Sequence, residues 1–174
     1  MSLSQRTPDR ATTAPLPARK LAIIAVFVAL SAAGSLVKIP SPLGSVGLDS
    51  APGFFTALAF GGWLGFLVIA IGHLLTSAIV GFPLTLGVHL AIAIGMGVCA
   101  LAFRWVGRRG TAWLVVSVIT TALLNSFGLG LIVVPIGGWG MYLASVPSLL
   151  LGAVINLVLA AVAYRALSNS TLLD

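Results

Sequence analysis

Few side chains in this sequence could do chemistry, and they suit binding better than catalysis. The acids are Asp9, Asp49 and Asp174, Glu is absent, and the histidines are His73 and His89. There is no zinc-ligand cluster, no H-E-x-x-H motif and no phosphate-binding G-x-x-x-x-G-K-[ST] loop. A G-x-S-G motif for an intramembrane serine nucleophile is also missing. We therefore expect neither an enzyme nor a metal site, and no cofactor bound by this chain.

The stretch from Lys38 to Pro52 is the most polar one between the long apolar segments. Asp49 and Ser50 stand before Ala51-Pro52, which is typical of a helix N-cap followed by proline in the first turn. Asp49 is also the only acid of this stretch, and its carboxylate can accept hydrogen bonds from a ligand. Capping and ligand contact remain equal alternatives for it, and Ser50 beside it is a further candidate ligand contact. Lys38 either snorkels at the end of the preceding helix or joins the site.

Other candidate ligand contacts lie within or beside apolar segments. Polar side chains at membrane depth usually face a bundle interior or a cavity, which applies to His73, His89 and Asn125. Asn156 fits a bond between helices better. Aromatic rings that could stack on a flat ligand are Phe54, Phe82, Trp139 and Tyr142, although interfacial anchoring is the default role of residues such as Trp139 and Tyr142.

The elements that position these residues must be membrane helices. Of 174 residues, 59% are apolar and 7% are charged, and the mean hydropathy is +1.16. A soluble domain is about a quarter charged. This composition excludes a soluble globule, a disordered chain and, despite a net charge of +6, a nucleic-acid binder. The partner of this surface is the lipid bilayer.

The apolar segments predict an all-α integral membrane protein with a six-transmembrane-helix bundle. A spanning helix needs roughly 20 apolar residues. The uncharged stretch 51–80 is too long for one span, and Gly61-Gly62 divides it. The predicted helices are Leu21–Val37, Pro52–Phe60, Trp63–Val80, Leu86–Phe103, Trp113–Leu124 (extending towards Val134) and Tyr142–Tyr164.

The basic residues predict the orientation. With six helices, eight of the nine basic residues fall on one side and only Lys38 on the other, so the positive-inside rule puts both termini in the cytoplasm. We expect a flexible cytoplasmic tail at residues 1–19, a membrane domain at 20–167 and a C-terminal tail at 168–174, in the cell membrane. A cleaved signal peptide at Leu21–Val37 is the weaker alternative.

The first helix carries small residues four apart, at Ala25, Ala29 and Ala33. Such spacing lets another helix approach closely. One interpretation is packing inside the bundle, and the other is a docking surface for a partner membrane protein.

The chain resembles the substrate-binding S components of energy-coupling factor (ECF) vitamin transporters. The features that carry this resemblance are the six short helices, the Ala-x-x-x-Ala first helix, the long first outside loop and Gly61-Gly-Trp-Leu-Gly65. Within this family, the chain is most similar to the members assigned to α-ribazole, a cobalamin precursor. The stretches that carry this narrower resemblance are Lys38-Ile-Pro-Ser-Pro, Leu48-Asp-Ser-Ala-Pro-Gly53, Gly72-His-Leu-Leu-Thr76, Gly81-Phe-Pro-Leu, Val88-His89-Leu and Pro135-Ile-Gly-Gly-Trp-Gly140.

The resemblance implies a vitamin-binding subunit that captures its substrate from outside. It implies two kinds of partner, a transmembrane coupling subunit and two ATPases, and these ATPases use the ATP. The alanine stripe would dock on the coupling subunit. Alternatives are an S component for cobalamin or another vitamin, or a small channel or scaffold bundle that binds no vitamin.

Overall fold

The computed structural model describes residues 17–41 and 44–168, with only the backbone described at residues 39–41 and 44–46. Of the predicted tails, residues 1–16 and 169–174 therefore lie outside the described part, and Ala18 and Arg19 already belong to the first helix. The helices are α1 Ala18–Ser35, α2 Ala51–Ala59, α3 Gly62–Ile79, α4 Leu86–Gly107, α5 Thr111–Leu123 and α6 Val134–Leu167.

The predicted first loop is more regular than the sequence indicates. Strands β1, Lys38–Ser41, and β2, Gly44–Gly47, form an antiparallel hairpin in which Lys38 pairs with Gly47. Leu48 N–H then donates to Gly34 O at 3.0 Å, which ties the hairpin to the end of α1. The described chain is thus helical apart from this hairpin, which the all-α prediction did not include.

Four described stretches are long and apolar enough to cross a membrane. They are Ala18–Ser35, Gly62–Ile79, Leu86–Gly107 and Thr111–Leu167. The helix predicted near Pro52–Phe60 does form as α2, but nine residues extend only about 14 Å against a core of about 30 Å. The short helix predicted there is therefore present but crosses only part of the membrane, and six full-length spans are not supported.

The last of the four stretches is too long for one crossing and is broken inside. A π-helical turn, Leu124–Gly128, and a 3-10 turn, Leu129–Val133, follow α5. Gly138, with φ of 69°, interrupts α6. Since α5 also packs against α6, the chain turns back across this region.

The core lies around α2, against which α1, α3, α4 and α6 pack. Phe54 and Leu58 of α2 are fully buried, as are Ile69, Phe103 and Leu157 on α3, α4 and α6. Gly53 fits against Ile69, where a Cβ would overlap the neighbouring side chain. On the outside, apolar side chains such as Val162 and Ile94 are exposed, as expected for a surface that faces lipid.

Candidate functional site

A cavity lies at the end of the bundle where α2 begins. Its volume is about 520 Å³, within the range of about 300–1,000 Å³ usual for small-molecule sites. Polar side chains of its lining are Asp49, Ser50, His73, His89, Asn125, Ser145, Ser148 and Asn156. Most of its walls are apolar, from Leu84, Ile92, Met96, Leu129, Ile132, Val133, Met141, Leu149 and Ala153.

Asn156 on α6 organises the polar side of this cavity. Its Oδ1 accepts hydrogen bonds from the backbone N–H groups of Ser50 at 3.1 Å and Ala51 at 2.8 Å. Its Nδ2 donates to the carbonyl oxygens of Gly47 at 3.0 Å and Gly152 at 2.9 Å. A buried amide is thereby fully bonded. It caps the N-terminus of α2 from another helix and holds the end of β2.

This cap leaves Asp49 free for another role. Ser50 is the N-cap residue of α2 but makes no side-chain capping bond, so the predicted capping by Asp49 or Ser50 is wrong. Instead, Asp49 Oδ2 accepts from Thr76 Oγ1 at 3.2 Å, and Asp49 Oδ1 accepts from Ser50 Oγ at 3.3 Å. Because a carboxylate has about four acceptor positions, Asp49 retains acceptor capacity on the cavity side.

The two histidines lie side by side next to this carboxylate. His73 Nε2 is 3.2 Å from His89 Nδ1, and Ser77 Oγ is 3.0 Å from the same His89 nitrogen. Thr76, on the same face of α3 as His73, has its hydroxyl 3.2 Å from Asp49 Oδ2 and 3.0 Å from the backbone carbonyl oxygen of His73. The polar side of the cavity is thus a cluster that combines the histidine pair with the Asp49 carboxylate.

Asn125 is placed by the π-helical turn Leu124–Gly128. Such turns are rare and frequently occur at functional sites, where they re-aim side chains. Asn125 lines the cavity half-buried, and within the described chain its amide makes no hydrogen bond. Its two donors and its acceptor are therefore available to a ligand.

Comparisons with known proteins agree with this architecture. A model of the family described as "ECF-type riboflavin transporter, S component" matches residues 16–169. The chain belongs to this family. A similar solved structure is described as "Structure and mechanism of the S component of a bacterial ECF transporter". It has a TM-score of 0.64 and 16% identity over 87% of this chain and 96% of that chain, which shows a shared fold. No curated protein matches.

The resemblance to ECF S components drawn from the sequence is therefore confirmed. This is a family of vitamin transporter subunits located in the membrane, not of enzymes, and its members work with an ECF module of ATPases and a coupling subunit. The narrower resemblance to α-ribazole members stays a prediction.

Half of the residues predicted to contact substrate line the cavity of this S component. They are Asp49, Ser50, His73, His89 and Asn125. They come from the segment before α2, from α3 and α4, and from the π-helical turn. The fold brings together groups that are up to 76 positions apart in the chain.

The remaining predicted contacts lie elsewhere. Lys38 is exposed on β1, and Phe54 is fully buried with its ring 5.5 Å from that of Phe103, so it is a core residue. Phe82 packs beside His89, with ring centroids 5.6 Å apart, outside the cavity lining.

Trp139 and Tyr142 form an edge-to-face pair away from the cavity lining. Their ring centroids are 5.7 Å apart, and Trp139 is 63% exposed. The Tyr142 hydroxyl donates to Phe127 O at 3.1 Å. Tyr142 therefore ties α6 to the π-helical turn that carries Asn125.

Sequence reasoning missed part of the site on α6. Met141, Ser145 and Ser148 are not among the predicted contacts, yet they line the cavity. Asn156 forms the predicted bond between helices, to the N-terminus of α2, and lines the cavity as well. The signal was present, because positions 141, 145, 148, 152 and 156 recur every three or four residues and share one helix face. That face combines small and polar residues in an otherwise apolar helix.

The C-terminal end of α2 is held by cations. Arg104 Nη1 donates to the carbonyl oxygens of Ala57 and Leu58 at 2.6 and 2.8 Å, and Arg108 Nη1 donates to Leu58 O at 3.3 Å. Cations at a helix C-terminus complement its partial negative charge. Sequence reasoning had used these arginines only to orient the chain.

The predicted docking stripe lies on the outside of the bundle. Ala25, Ala29 and Ala33 are all exposed on α1. Leu21, Val26 and Leu30 of the same helix are exposed too. Within the described chain, this face of α1 is not used for packing.

Proposed function

We propose that this S component binds α-ribazole, the nucleoside of a substituted benzimidazole, and delivers it through an ATP-driven ECF module. The observation that carries this proposal is the division of the cavity into a polar cluster on one side and largely apolar walls. A ribose has hydroxyl groups that match Asp49, Ser50 and His73. A benzimidazole ring is flat and largely apolar, and it matches the walls formed by Met96, Leu129 and their neighbours.

The ring polarity favours this ligand over a more polar one. A benzimidazole joined to ribose has a single free ring nitrogen, and the unpartnered amide of Asn125 is a suitable donor for it. Each buried polar atom without a partner costs about 1–3 kcal/mol. The aliphatic walls of this cavity therefore suit a ring with few polar atoms. The ring would be held by aliphatic and methionine contacts rather than by the aromatic stacking expected from the sequence.

Riboflavin is the second candidate, because the matching family model is named for it. Its ribityl chain could meet the same polar cluster. Its ring system, however, carries several carbonyl and nitrogen groups along one edge, which need more hydrogen-bond partners than Asn125 and the serines of α6 supply.

We also propose that the cavity faces the outside and that both termini face the cytoplasm. Arg104 and Arg108 bind the C-terminal end of α2. Arg19 and Lys20 lie at the same end, since they border a hollow together with Ala59 and Phe60. Asp49 and the cavity lie at the other end of α2. The positive-inside rule then supports a cytoplasmic basic end, with α2 as a partial span among the six helices.

The exposed stripe Ala25, Ala29 and Ala33 supports docking of the coupling subunit on α1. Small side chains there let a partner helix approach closely. In the Ala29→Trp variant we expect unchanged ligand binding and loss of uptake by cells that contain the ECF module. The matched control is Val162→Trp, which places the same large side chain on an exposed position of α6, away from the stripe. This control should keep both ligand binding and uptake.

The experiment that tests the substrate is calorimetric titration of the purified protein with α-ribazole, riboflavin and cobalamin in parallel. We expect tight binding of α-ribazole and none of the others at the same concentration. Tight binding of riboflavin alone would replace the proposed substrate and keep the family assignment. Binding of no compound by folded protein would contradict both candidates and favour another vitamin or a scaffold role.

A further inference from the structure

The histidine pair has a hydrogen-bond arrangement that determines where its protons lie. Leu84 N–H points at His89 Nε2 at 3.4 Å, so this nitrogen accepts and carries no proton. A neutral His89 then carries its proton on Nδ1. That nitrogen faces His73 Nε2 at 3.2 Å and Ser77 Oγ at 3.0 Å.

The proton of His73 follows from the same contacts. Two N–H groups facing each other at 3.2 Å would repel, so His73 Nε2 accepts, either from His89 Nδ1–H or from the Ser77 hydroxyl at 3.4 Å. A neutral His73 with an accepting Nε2 carries its proton on Nδ1. Both rings are then Nδ1–H tautomers.

His73 Nδ1 is the ring nitrogen of the pair that is left for a ligand. Within the described chain it has no hydrogen-bond partner, and the one fully buried side-chain polar atom without a partner is Ser126 Oγ. The nitrogen is therefore accessible, and His73 lines the cavity. Asp49, bonded by Thr76 one turn further along α3, lines the same cavity, so the cavity holds an N–H donor and a carboxylate acceptor.

We propose that His73 is a specificity-determining donor to the ligand and that His89 is a positioning residue, which acts by holding the proton of His73 on Nδ1. The inference deepens the proposed function, on which it rests. A donor beside a carboxylate acceptor matches neighbouring hydroxyl groups, in which one oxygen accepts from His73 and the next donates to Asp49. The chemical class selected is a ligand with a vicinal diol, such as a ribonucleoside.

The turn between α3 and α4 belongs to this arrangement. Phe82 and Thr85 have φ values of +49° and +87°, which residues other than glycine rarely adopt and which strain the backbone. This strained turn presents Leu84 N–H to His89. Pro83 and Leu84 also line the cavity. The turn thus both covers the cavity and sets the tautomer of the donor.

The first test needs no ligand. The chain has two histidines, so ¹⁵N NMR of histidine-labelled, tag-free protein in micelles at neutral pH reports both rings, and the His89→Asn variant assigns them. We expect protonated Nδ1 and unprotonated Nε2 in both, the reverse of the tautomer that predominates in water. A protonated Nε2 on either ring would overturn the proposal, whatever the protein binds.

The second test is a double-mutant cycle with α-ribazole titration as the measurement. His73→Ala and His89→Ala should each weaken binding about tenfold, the effect of one hydrogen bond. The double variant should bind about as weakly as His73→Ala, because His89 acts through His73. An additive loss of about a hundredfold would show that His89 contacts the ligand independently and would overturn its positioning role.

A conservative replacement provides the matched control. His89→Asn places an amide N–H near the position of Nδ1 and should retain most of the affinity that His89→Ala loses, whereas a merely space-filling His89→Leu should not. Equal affinity of the Asn and Leu variants would contradict the proposal. If α-ribazole does not bind wild-type protein, the proposed substrate fails, and the tautomers seen by NMR still decide the hydrogen-bond arrangement.

Discussion

The two ends of α2 are held in opposite ways. At its N-terminus, Asn156 supplies a neutral amide from α6 that bonds two N–H groups. At its C-terminus, Arg104 and Arg108 supply charged donors from the end of α4 to two carbonyl oxygens. One end borders the cavity, and the other lies among the basic residues.

This difference shows how a short helix can serve a binding site. A helix as short as α2 leaves four N–H and four C=O groups without helical partners, which must be satisfied within the protein where water is excluded. A charged cap at the cavity end would compete with the ligand for Asp49. The amide of Asn156 bonds the helix end without charge, and the carboxylate stays available. At the basic end there is no ligand site, so charged side chains can bond the carbonyl groups of the helix without disturbing binding.

The largest effect is expected from removing the neutral cap. Asn156→Ala leaves the N–H groups of Ser50 and Ala51 and the carbonyl of Gly47 without their partner, so the free energy of unfolding should fall by about 3 kcal/mol. Binding of α-ribazole should weaken as well, because Asp49 loses its support. Thermal melting in detergent and calorimetry measure the two effects. If the variant is destabilised but keeps its affinity for α-ribazole, the cap supports the fold and does not contribute to binding.

Removing the charged cap should affect stability alone. Arg104→Ala deletes two hydrogen bonds to carbonyl oxygens of α2, which we expect to lower the free energy of unfolding by about 2 kcal/mol. Affinity should not change, because this end is remote from the cavity. Arg108→Ala is the matched control, with one longer bond from an exposed side chain, and should cost less than about 1 kcal/mol. Weaker ligand binding by Arg104→Ala would show that the two ends are coupled.

The smallest effect is expected from Ser50→Ala. An N-cap serine normally contributes about 1 kcal/mol, but here its hydroxyl bonds Asp49 rather than the helix. We expect a loss below about 0.5 kcal/mol in the melting experiment. A loss of 1 kcal/mol or more, as for an ordinary cap, would indicate that Ser50 and not only Asn156 caps α2.

The sequence predicted the helices well because long runs of apolar residues identify membrane segments by composition alone. Helices α1, α3 and α4 begin within about three residues of their predicted starts, since runs of apolar residues bounded by glycine, proline and charge leave little choice. It did not predict the hairpin, whose Lys38–Gly47 pairing depends on backbone bonds and not on an alternating pattern. The short helix predicted at Pro52–Phe60 forms as α2, but six full-length spans are not supported.

The site was predicted where a polar residue stood out against apolar neighbours, as with Asp49, His73, His89 and Asn125. The prediction was wrong where the residue type also has a common structural use. Phe54 was assigned to ligand stacking because its aromatic ring suits that role, and the fold buries it against Phe103. The cap by Asn156 connects positions 106 residues apart, and no local pattern reveals such a bond.

The most direct test of the central claim is titration of wild-type and Asp49→Asn protein with α-ribazole and with the free benzimidazole base. The substitution preserves the shape of the side chain and removes its charge. We predict that affinity for α-ribazole falls about tenfold or more, the effect of a hydrogen bond to a charged group, while binding of the free base and the melting temperature stay unchanged. Unchanged affinity for α-ribazole with a lowered melting temperature would contradict the account, because Asp49 would then support the fold and not the ligand.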